Sequence, residues 1–474
     1  MENTNKPASI SWKNRIGYAC GTAPDSMVYT ITSVYVLFFM TDVLGVNAAV
    51  AGTIVAVSTI ICAFVTPVIG IFADNYNSPK GRRLPLMKIL MLGAMVCTVL
   101  IFLPVNLGPV ETVFLFITVV GAYSIYTAYC VPYYALGAEL TEDYNERNNL
   151  LMFKVFIAYP VCYIGETGLY FLVERFSAGM NERMSWFMAV LVMAVMVVVL
   201  TFICTTVLKG QERPVEHIEK EKFDLAQTVK DYLSILSVKI CRKVMIYNFL
   251  FCVGYMAIMN TVTYAMTYCV APEAGDTEAL IAGYWLCNTV VCVISAPICT
   301  AVANKFDKKT SVIFFLILSA LWQAIFYFLG LNSFVGVLVW SGANAFACSA
   351  FYGIYQSMLF DTTEVYELKY GERKEGSIVS MSLLMQCLGE ALASFLVGIC
   401  LSMTGYNGED VVSEATSQGI LATATLLPAA FMLFGLIWIF THKLNRKRFD
   451  EVKEALERKR NGEEIDLSEF KDLI

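Results

Sequence analysis

The stretch PVIGIFADN at residues 67–75 recurs in altered form as PICTAVANK at residues 297–305. Each matched position lies 230 residues further along the chain, and each copy closes an apolar run, at Asp74 and at Asn304. Duplicated halves of this kind, with a binding site between them near the middle of the bilayer, are typical of secondary transporters. One short echo is a weak signal, so its meaning depends on the layout of the rest of the chain.

The composition of the 474-residue chain is that of a membrane protein. Hydrophobic residues make up 57% and charged residues only 16%, with a mean hydropathy of +0.61, whereas globular domains carry about 25% charged residues. The net charge of −6 leaves no basic excess for nucleic acid. Two histidines are too few for a histidine-rich metal site. None of the 15 cysteines lies in a C-x-x-C pair, so they are interpreted as small apolar packing residues. Neither a metal site nor a cofactor is therefore expected.

A spanning helix needs about 20 mostly apolar residues, and the chain contains twelve such runs. They cover residues 17–42, 48–73, 85–104, 110–136, 150–174, 185–207, 244–270, 278–303, 311–330, 334–359, 377–403 and 418–441. The N-terminus, the even-numbered loops and the tail are rich in Lys and Arg, whereas the odd loops carry almost none apart from Arg175 and Arg183. Because basic residues stay inside, this alternation predicts an inner-membrane protein with both termini in the cytoplasm.

The only long polar segment between predicted helices, residues 208–243, divides the chain into six helices plus six. It separates an N-terminal half (1–207) from a C-terminal half (244–442), and a charged cytoplasmic tail (443–474) follows. Apolar residues at near-helical spacing predict an interfacial helix in the central segment. The tail is predicted to be a solvated helix.

Four motifs carry a resemblance to a known family. They are YVLFFMTDVLG at 35–45, PVIGIFAD with KGRRLP at 67–85, VPYYALGAELTEDYNER at 131–147 and DTTEVYELKYGERKEGS at 361–377. Over about residues 13–440 the chain resembles the glycoside–pentoside–hexuronide:cation symporters, a branch of the major facilitator superfamily that includes the melibiose carrier. The resemblance implies an all-α integral membrane fold with twelve transmembrane helices in two pseudo-symmetric six-helix bundles. It also implies cation-coupled uptake of a glycoside.

The chain departs from this family at the ionisable centre. Where typical members carry two acidic residues that bind the coupling cation, matching places Cys62 and Thr66. A sugar-binding aspartate of the family falls on Ser26, with Asp25 one residue earlier, and a further aspartate falls on Cys130. Because a hard cation prefers anionic oxygen, the sodium site is predicted to be lost, and a proton is favoured as the coupling ion.

Three carboxylates remain inside the predicted spans and are the candidates for coupling: Asp25, Glu166 and Glu390. A charge at a helix centre costs roughly 2.5–3.5 kcal/mol and is by default a functional hypothesis. The alternative is a protonated carboxyl hydrogen-bonded to a neighbouring helix, or one that lines a crevice without touching substrate. Lys154 matches a position where many relatives have Arg, but it could equally neutralise Glu139 or Glu142.

A tyrosine-rich fourth helix supplies further candidates. Positions 126, 130 and 134 share one helical face, and a tyrosine offers both an apolar ring and a hydroxyl; ordinary aromatic packing is the alternative. The resemblance places Tyr126, Thr127 and Tyr134 towards the cavity. The substrate-binding candidates are Asp25, Ser26, Ser33, Tyr126, Thr127, Cys130, Tyr134, Lys154 and Tyr352.

Charged residues at the cytoplasmic ends of the halves resemble the inner gate of the superfamily. They are Asp74, Arg82, Arg83, Asp143, Arg147, Asp361, Glu364 and Arg373. Pairs that form in only one state bias the equilibrium between states. The alternative is that these basic residues serve topology alone.

The sequence therefore predicts a monomeric secondary transporter that moves a small glycoside or sugar-like solute through the lipid bilayer by alternating access. Loss of the sugar carboxylates leaves a steroid-like or lipid-like amphipathic substrate open as a rival. A second rival is a transporter-like sensor that binds without translocating, although the retained gate charges argue against it. An enzyme is not expected, because the chain has no phosphate-binding loop, H-E-x-x-H pair or G-x-S-x-G elbow.

Overall fold

The structure is a computed structural model of the full chain. It describes residues 10–75, 81, 83–140, 144–211, 225–270, 275–329, 333–372, 374–407, 412–461, 463 and 465–474. Every regular element within these ranges is helical.

The chain divides into two compact units, which meet in sequence between Phe223 and Asp224. The first unit contains α1 (Trp12–Val43), α2 (Ala48–Asn75), α3 (Leu84–Ile101), α4 (Glu111–Glu139), α5 (Tyr144–Ser177) and α6 (Glu182–Val207). The second contains α7 (Leu225–Ser237), α8 (Lys239–Val270), α9 (Thr277–Phe306), α10 (Lys308–Leu329), α11 (Phe334–Tyr370), α12 (Glu375–Met403), α13 (Glu414–Phe440) and α14 (Arg446–Arg460). Short 3₁₀ turns lie at Gly108–Val110 and Leu467–Phe470.

Eleven helices of the described residues are long and apolar enough to cross a membrane, and the remaining predicted span, 150–174, lies within α5. Several helices begin at a polar residue whose side chain accepts a hydrogen bond from the first turn, as at Asn181, Ser333 and Ser413. Such N-caps satisfy amide groups that would otherwise lack a partner. The prediction of an all-helical fold with twelve spanning helices is confirmed.

The two units repeat one packing scheme. In the first unit α1 packs against α5 and α6, and α2 against α4; in the second, α8 packs against α12 and α13, and α9 against α11. Likewise α3 contacts α4 and α6, and α10 contacts α11 and α13. The echo between residues 67–75 and 297–305 thus falls at the ends of corresponding helices, α2 and α9.

Close approach of α12 to α8 depends on Gly389. A Cβ atom there would lie 2.9 Å from the carbonyl oxygen of Phe249 and 2.8 Å from the Cβ atom of Cys252. Because the backbone of α8 supplies one of these contacts, the larger side chain could fit only if the helices separated. The glycine beside Glu390 therefore serves helix packing.

The charged tail is not the fully solvated helix predicted from its composition. Val452, Ala455 and Leu456 of α14 are buried, together with Phe470 and Leu473 beyond it, and α14 packs against α11. The spacing of 452, 455 and 456 places these side chains on one face. These apolar contacts, together with the Arg460–Glu367 ion pair at 2.6 Å, dock the helix within the second unit.

Candidate functional site

Asp25 lies near the middle of α1 and is only 8% exposed. Its Oδ1 atom accepts hydrogen bonds from the Tyr126 hydroxyl at 2.8 Å and from the Cys130 thiol at 3.3 Å. Its Oδ2 atom accepts one from the Tyr134 hydroxyl at 2.8 Å. The three donors lie one helical turn apart on α4, so a single helix face satisfies both oxygens of the carboxylate. We call Asp25, Tyr126, Cys130 and Tyr134 the Asp25 cluster.

Other tyrosines of α4 hold that helix against α1 instead of facing the carboxylate. Tyr123 donates to the carbonyl of Thr32, Tyr129 to that of Gly21 and Tyr133 to that of Tyr18, at 2.9–3.0 Å. Tyr129 and Tyr133 are completely buried. For these residues the packing alternative describes the structure, and their bonds fix the rotation of α4 that brings the cluster together.

Tyr134 differs from the rest of the cluster in its exposure. It is 50% exposed, whereas Tyr126 is buried at 9%. The ammonium of Lys154 on α5 lies 4.0 Å from the centre of the Tyr134 ring, a cation–π contact, and its charge acts on Asp25. The Asp25 cluster thus comprises a carboxylate, two phenols and a thiol, with a cation beside it and one phenol accessible to a ligand.

Cys62, which the family resemblance matches to one of the two cation-binding positions, forms a neutral pair with Thr127. The thiol of Cys62 on α2 lies 2.7 Å from the hydroxyl of Thr127 on α4 and also contacts the carbonyl oxygen of Tyr123 at 3.6 Å. The side chain of Thr66 lies outside the described residues. Within the part of the chain that the structure describes, no cluster of three or more His, Cys, Asp or Glu residues could hold a metal ion.

The other candidates of the first unit are not members of the Asp25 cluster. Ser26 is partly exposed and lies near Cys162 of α5, while Ser33 is buried on α1. Glu166 is 8% exposed, and its backbone carbonyl accepts a hydrogen bond from Tyr35. Sequence reasoning missed Cys162, because a lone cysteine in an apolar run gives no sign of the helix that it faces.

Two candidates belong to the second unit. Glu390 is half-buried on α12, with Cys252 of α8 close enough to sense its charge. Tyr352 lies on α11, but its side chain is outside the described residues.

The gate candidates are only partly described. Arg83 is buried, Glu364 is half-buried, and Asp361 forms an ion pair of 2.5 Å with Lys308 of α10. Lys308 was not among the predicted gate residues, because its place in a basic loop gave no sign of a carboxylate partner. The side chains of Asp74 and Arg147, and all of Arg82, Asp143 and Arg373, lie outside the described residues.

Comparisons with known proteins agree with the architecture. Residues 17–446 match the family described as MFS/sugar transport protein. A Bacillus subtilis protein named uncharacterized symporter YnaJ is 25% identical and aligns over 100% of this chain and 99% of its own. The isoprimeverose transporter of Lactiplantibacillus pentosus is 24% identical over 92% and 90% of the two chains. The solved structure of the nucleoside transporter NupG shares the fold, with a TM-score of 0.65 at 12% identity over 89% and 99%.

The curated relatives span nearly the whole chain, as does the family match, and they are transporters or symporters. This agrees with the motif-based resemblance, with a multi-span membrane protein and with a role other than catalysis. The chain belongs to the MFS/sugar transport family of the major facilitator superfamily, and it is similar to symporters of the glycoside–pentoside–hexuronide type.

Proposed function

We propose that this protein moves a small polyhydroxylated solute, a glycoside or sugar-like compound, across the cytoplasmic membrane by alternating access. Protons rather than sodium ions drive it, and Asp25 accepts a hydrogen bond from a substrate hydroxyl. The observation that carries this proposal is the Asp25 cluster, in which a membrane carboxylate is held by hydroxyl and thiol donors. Sugar transport also accords with the family and with the isoprimeverose transporter among its relatives.

A sugar hydroxyl can take the place of the Tyr134 hydroxyl on the Asp25 carboxylate. Both groups are neutral O–H donors, so the exchange leaves Oδ2 with one hydrogen bond throughout. Tyr134 is the donor that a ligand can reach, since half of it is exposed while Tyr126 is buried. Its ring then offers an apolar surface to a sugar face.

Proton coupling is favoured by Cys62 and Thr66 at the two matched cation positions, because neither side chain is a carboxylate. The Cys62–Thr127 pair supplies one neutral sulfur and one neutral oxygen, whereas Na⁺ and other hard cations take anionic or carbonyl oxygens. Asp25 and Glu166 are buried carboxyls in the same unit, and Glu390 is half-buried in the other. Each of these can carry a proton across the cycle.

Uptake into proteoliposomes tests the coupling. Isoprimeverose and a panel of labelled glycosides are offered at fixed external pH, with sodium or choline as the cation, and with or without an alkaline interior. We expect a pH gradient to drive accumulation that a protonophore abolishes, and replacement of sodium by choline to change uptake less than twofold. A tenfold stimulation by sodium would overturn proton coupling, and empty liposomes provide the background.

A flat amphipathic substrate is the second candidate, because the accessible group of the cluster is an aromatic ring. Competition separates the two candidates. If a steroid-like compound inhibits glycoside uptake and is itself accumulated while glycosides are not, the sugar assignment is wrong. If a compound binds tightly but no solute crosses the membrane, the protein is a sensor.

The gate residues complete the proposed cycle. Opposite charges at the cytoplasmic ends of the halves would favour the state in which those ends meet, and they lose that interaction when the cavity opens inward. Lys308 already pairs with Asp361 inside the second unit. The Asp361 carboxylate would therefore exchange between Lys308 of its own unit and a partner that it meets in only one state.

A further inference from the structure

Five cations converge where α8 and α10 begin and α13 ends. Lys239, Arg242, Lys309 and Lys443 all act electrostatically on the ammonium of Lys243. We call these five residues the basic cluster; all belong to the second unit. None of the five forms an ion pair with a carboxylate among the residues that the structure describes.

Backbone carbonyls, not carboxylates, hold these cations in place. Lys243 donates to the carbonyl of Thr441, and Lys309 to that of Phe440 at 3.0 Å, so two lysines cap the end of α13. Lys239 and Arg242 donate to the carbonyls of Lys471 and Leu236. A helix C-terminus offers roughly half a negative charge, which is far less than five positive charges need. The side chains are thus positioned without being neutralised.

The imidazole of His442 lies near the same positive charges. It is 2% exposed, directly after α13, and its Nδ1 atom has no hydrogen-bond partner in the described residues. Burial first, and then the charges of Lys309 and Lys243, lower the pKa of His442 to about 3. These lysine charges thus act on the same end of α13 whose carbonyls Lys243 and Lys309 cap.

The surface next to the basic cluster is apolar and exposed. Phe434, Ile437 and Phe440 of α13 are each more than half exposed, and so is Phe314 of the adjoining α10. Their spacing on α13 places them on one side of the helix, leading from the basic cluster along the spanning segment. Basic groups that end an apolar helix face are the arrangement that recognises anionic headgroups.

We propose that the basic cluster binds the phosphate of an anionic phospholipid whose acyl chains lie on the exposed face of α13. The phosphate supplies the charge that the five cations lack, while the apolar residues favour a lipid over a free phosphate ion. Such a lipid would bridge cations at the ends of α8, α10 and α13, where α8 and α10 each already pack against α13. The site is separate from the Asp25 cluster and does not depend on the proposed substrate.

Trp438 provides an intrinsic reporter for the test. It lies on the last turns of α13, is 38% exposed and precedes His442 by one helical turn. The purified full-length protein in neutral detergent is titrated with phosphatidylglycerol or phosphatidylcholine, each brominated on its acyl chains, and tryptophan fluorescence is recorded. Subtracting the signal of Trp438→Phe isolates the reporter. We expect saturable quenching by phosphatidylglycerol at mole fractions where phosphatidylcholine quenches little.

Charge-removing variants identify the cations involved. Each cation near a headgroup strengthens binding by about fivefold, so Lys243→Gln and Lys309→Gln should each weaken phosphatidylglycerol binding by about that factor. Lys443→Gln should weaken phosphatidylglycerol binding by at most the same factor. Because Lys443 is exposed and caps no helix, this variant tests the loss of charge alone even if the other two variants fail to fold. Lys305→Gln is the matched control, a lysine on the last turn of α9 that is not in the basic cluster, and it should bind as the wild type does.

Three outcomes would overturn the proposal. Equal quenching by the two lipids would show no headgroup recognition. Wild-type binding by all three cluster variants, or equal losses in Lys305→Gln, would show that the cations do not form the site. Full displacement of the lipid by millimolar inorganic phosphate would identify a site for a free anion instead of a lipid.

Discussion

Replacing Asp25 with Asn should separate substrate binding from proton coupling. The change removes a titratable charge and keeps one side-chain oxygen, which can accept either from Tyr126 and Cys130 or from Tyr134. A hydrogen bond to a charged group contributes about 1.5–3 kcal/mol, which corresponds to roughly 10- to 150-fold in affinity. If a substrate hydroxyl bonds to the Asp25 carboxylate, the dissociation constant of the transported glycoside should rise by a factor in that range.

Glu166→Gln is the matched comparison for this variant. Both carboxyls are 8% exposed and lie in spanning helices of the same unit, so neutralising either one has a similar effect on insertion and burial. Glu166 is not part of the Asp25 cluster. Its neutral variant should therefore bind the substrate within about threefold of wild type, an allowance for small shifts in packing.

The assay combines equilibrium binding with two transport modes. Binding to purified protein gives the affinity, accumulation under a pH gradient requires a coupled proton, and counterflow exchange requires none. If Asp25 only carries the proton, Asp25→Asn should abolish accumulation while counterflow and affinity persist. If it also holds the substrate, affinity and counterflow should both fall. Normal accumulation with unchanged affinity would refute both roles and leave Asp25 as a structural residue.

Three other variants test the packing of α12 on α8, the buried histidine that follows α13 and the proposed inner gate. Gly389→Ala should destabilise the protein by about 1–3 kcal/mol, because its new Cβ would press on the carbonyl of Phe249; Gly342→Ala, whose nearest contacts would be 3.7 Å, should unfold at the wild-type temperature. His442→Gln should make the free energy of unfolding less dependent on pH. Because the pKa of His442 in the folded protein is about 3, the wild type's free energy of unfolding falls by up to about 1.4 kcal/mol per pH unit as the pH drops below about 6.5. Unfolding midpoints at pH 7 and pH 5 measure the difference, and parallel curves for the two proteins would contradict it. Arg373→Ala should insert normally but slow uptake and slow the labelling of a cysteine placed on the external side; unchanged labelling and transport would leave Arg373 as a topology charge.

The apolar runs predict where the spanning helices lie, but they predict the first and last residues of these helices less accurately. The run 334–359 stops eleven residues before α11 ends at Tyr370, and α1 begins at Trp12, ahead of the run that starts at residue 17. A helix continues for as long as its backbone hydrogen bonds can form, whereas hydropathy records only the stretch that suits lipid. The charged extensions of these helices are therefore invisible to hydropathy, although the caps at Ser11 and Gly371 mark where they begin and end.

The sequence predicts which residues belong to the candidate site, but not which of these residues contact one another. Helical spacing groups Tyr126, Cys130 and Tyr134, and the cost of a membrane carboxylate singles out Asp25. Spacing cannot tell which tyrosines face the carboxylate and which bond to carbonyls of α1, because that depends on how α4 is rotated against its neighbour. The Cys62–Thr127 contact and the Lys308–Asp361 pair were missed for the same reason: each joins two helices through residues that have no distinctive spacing.

The Asp25 cluster also explains how a carboxylate can be kept in a membrane span and still take part in exchange. Insertion of the charge costs roughly 2.5–3.5 kcal/mol, and three donors from α4 offset that cost. A carboxylate satisfied only by buried donors would be inert, because no ligand could reach it. Here the donors are unequal: Tyr126 and Cys130 are buried, whereas Tyr134 is half exposed. Two donors can thus retain the carboxylate while the third gives way, and that asymmetry is what a site needs in order to bind a hydroxyl-bearing solute and release it again.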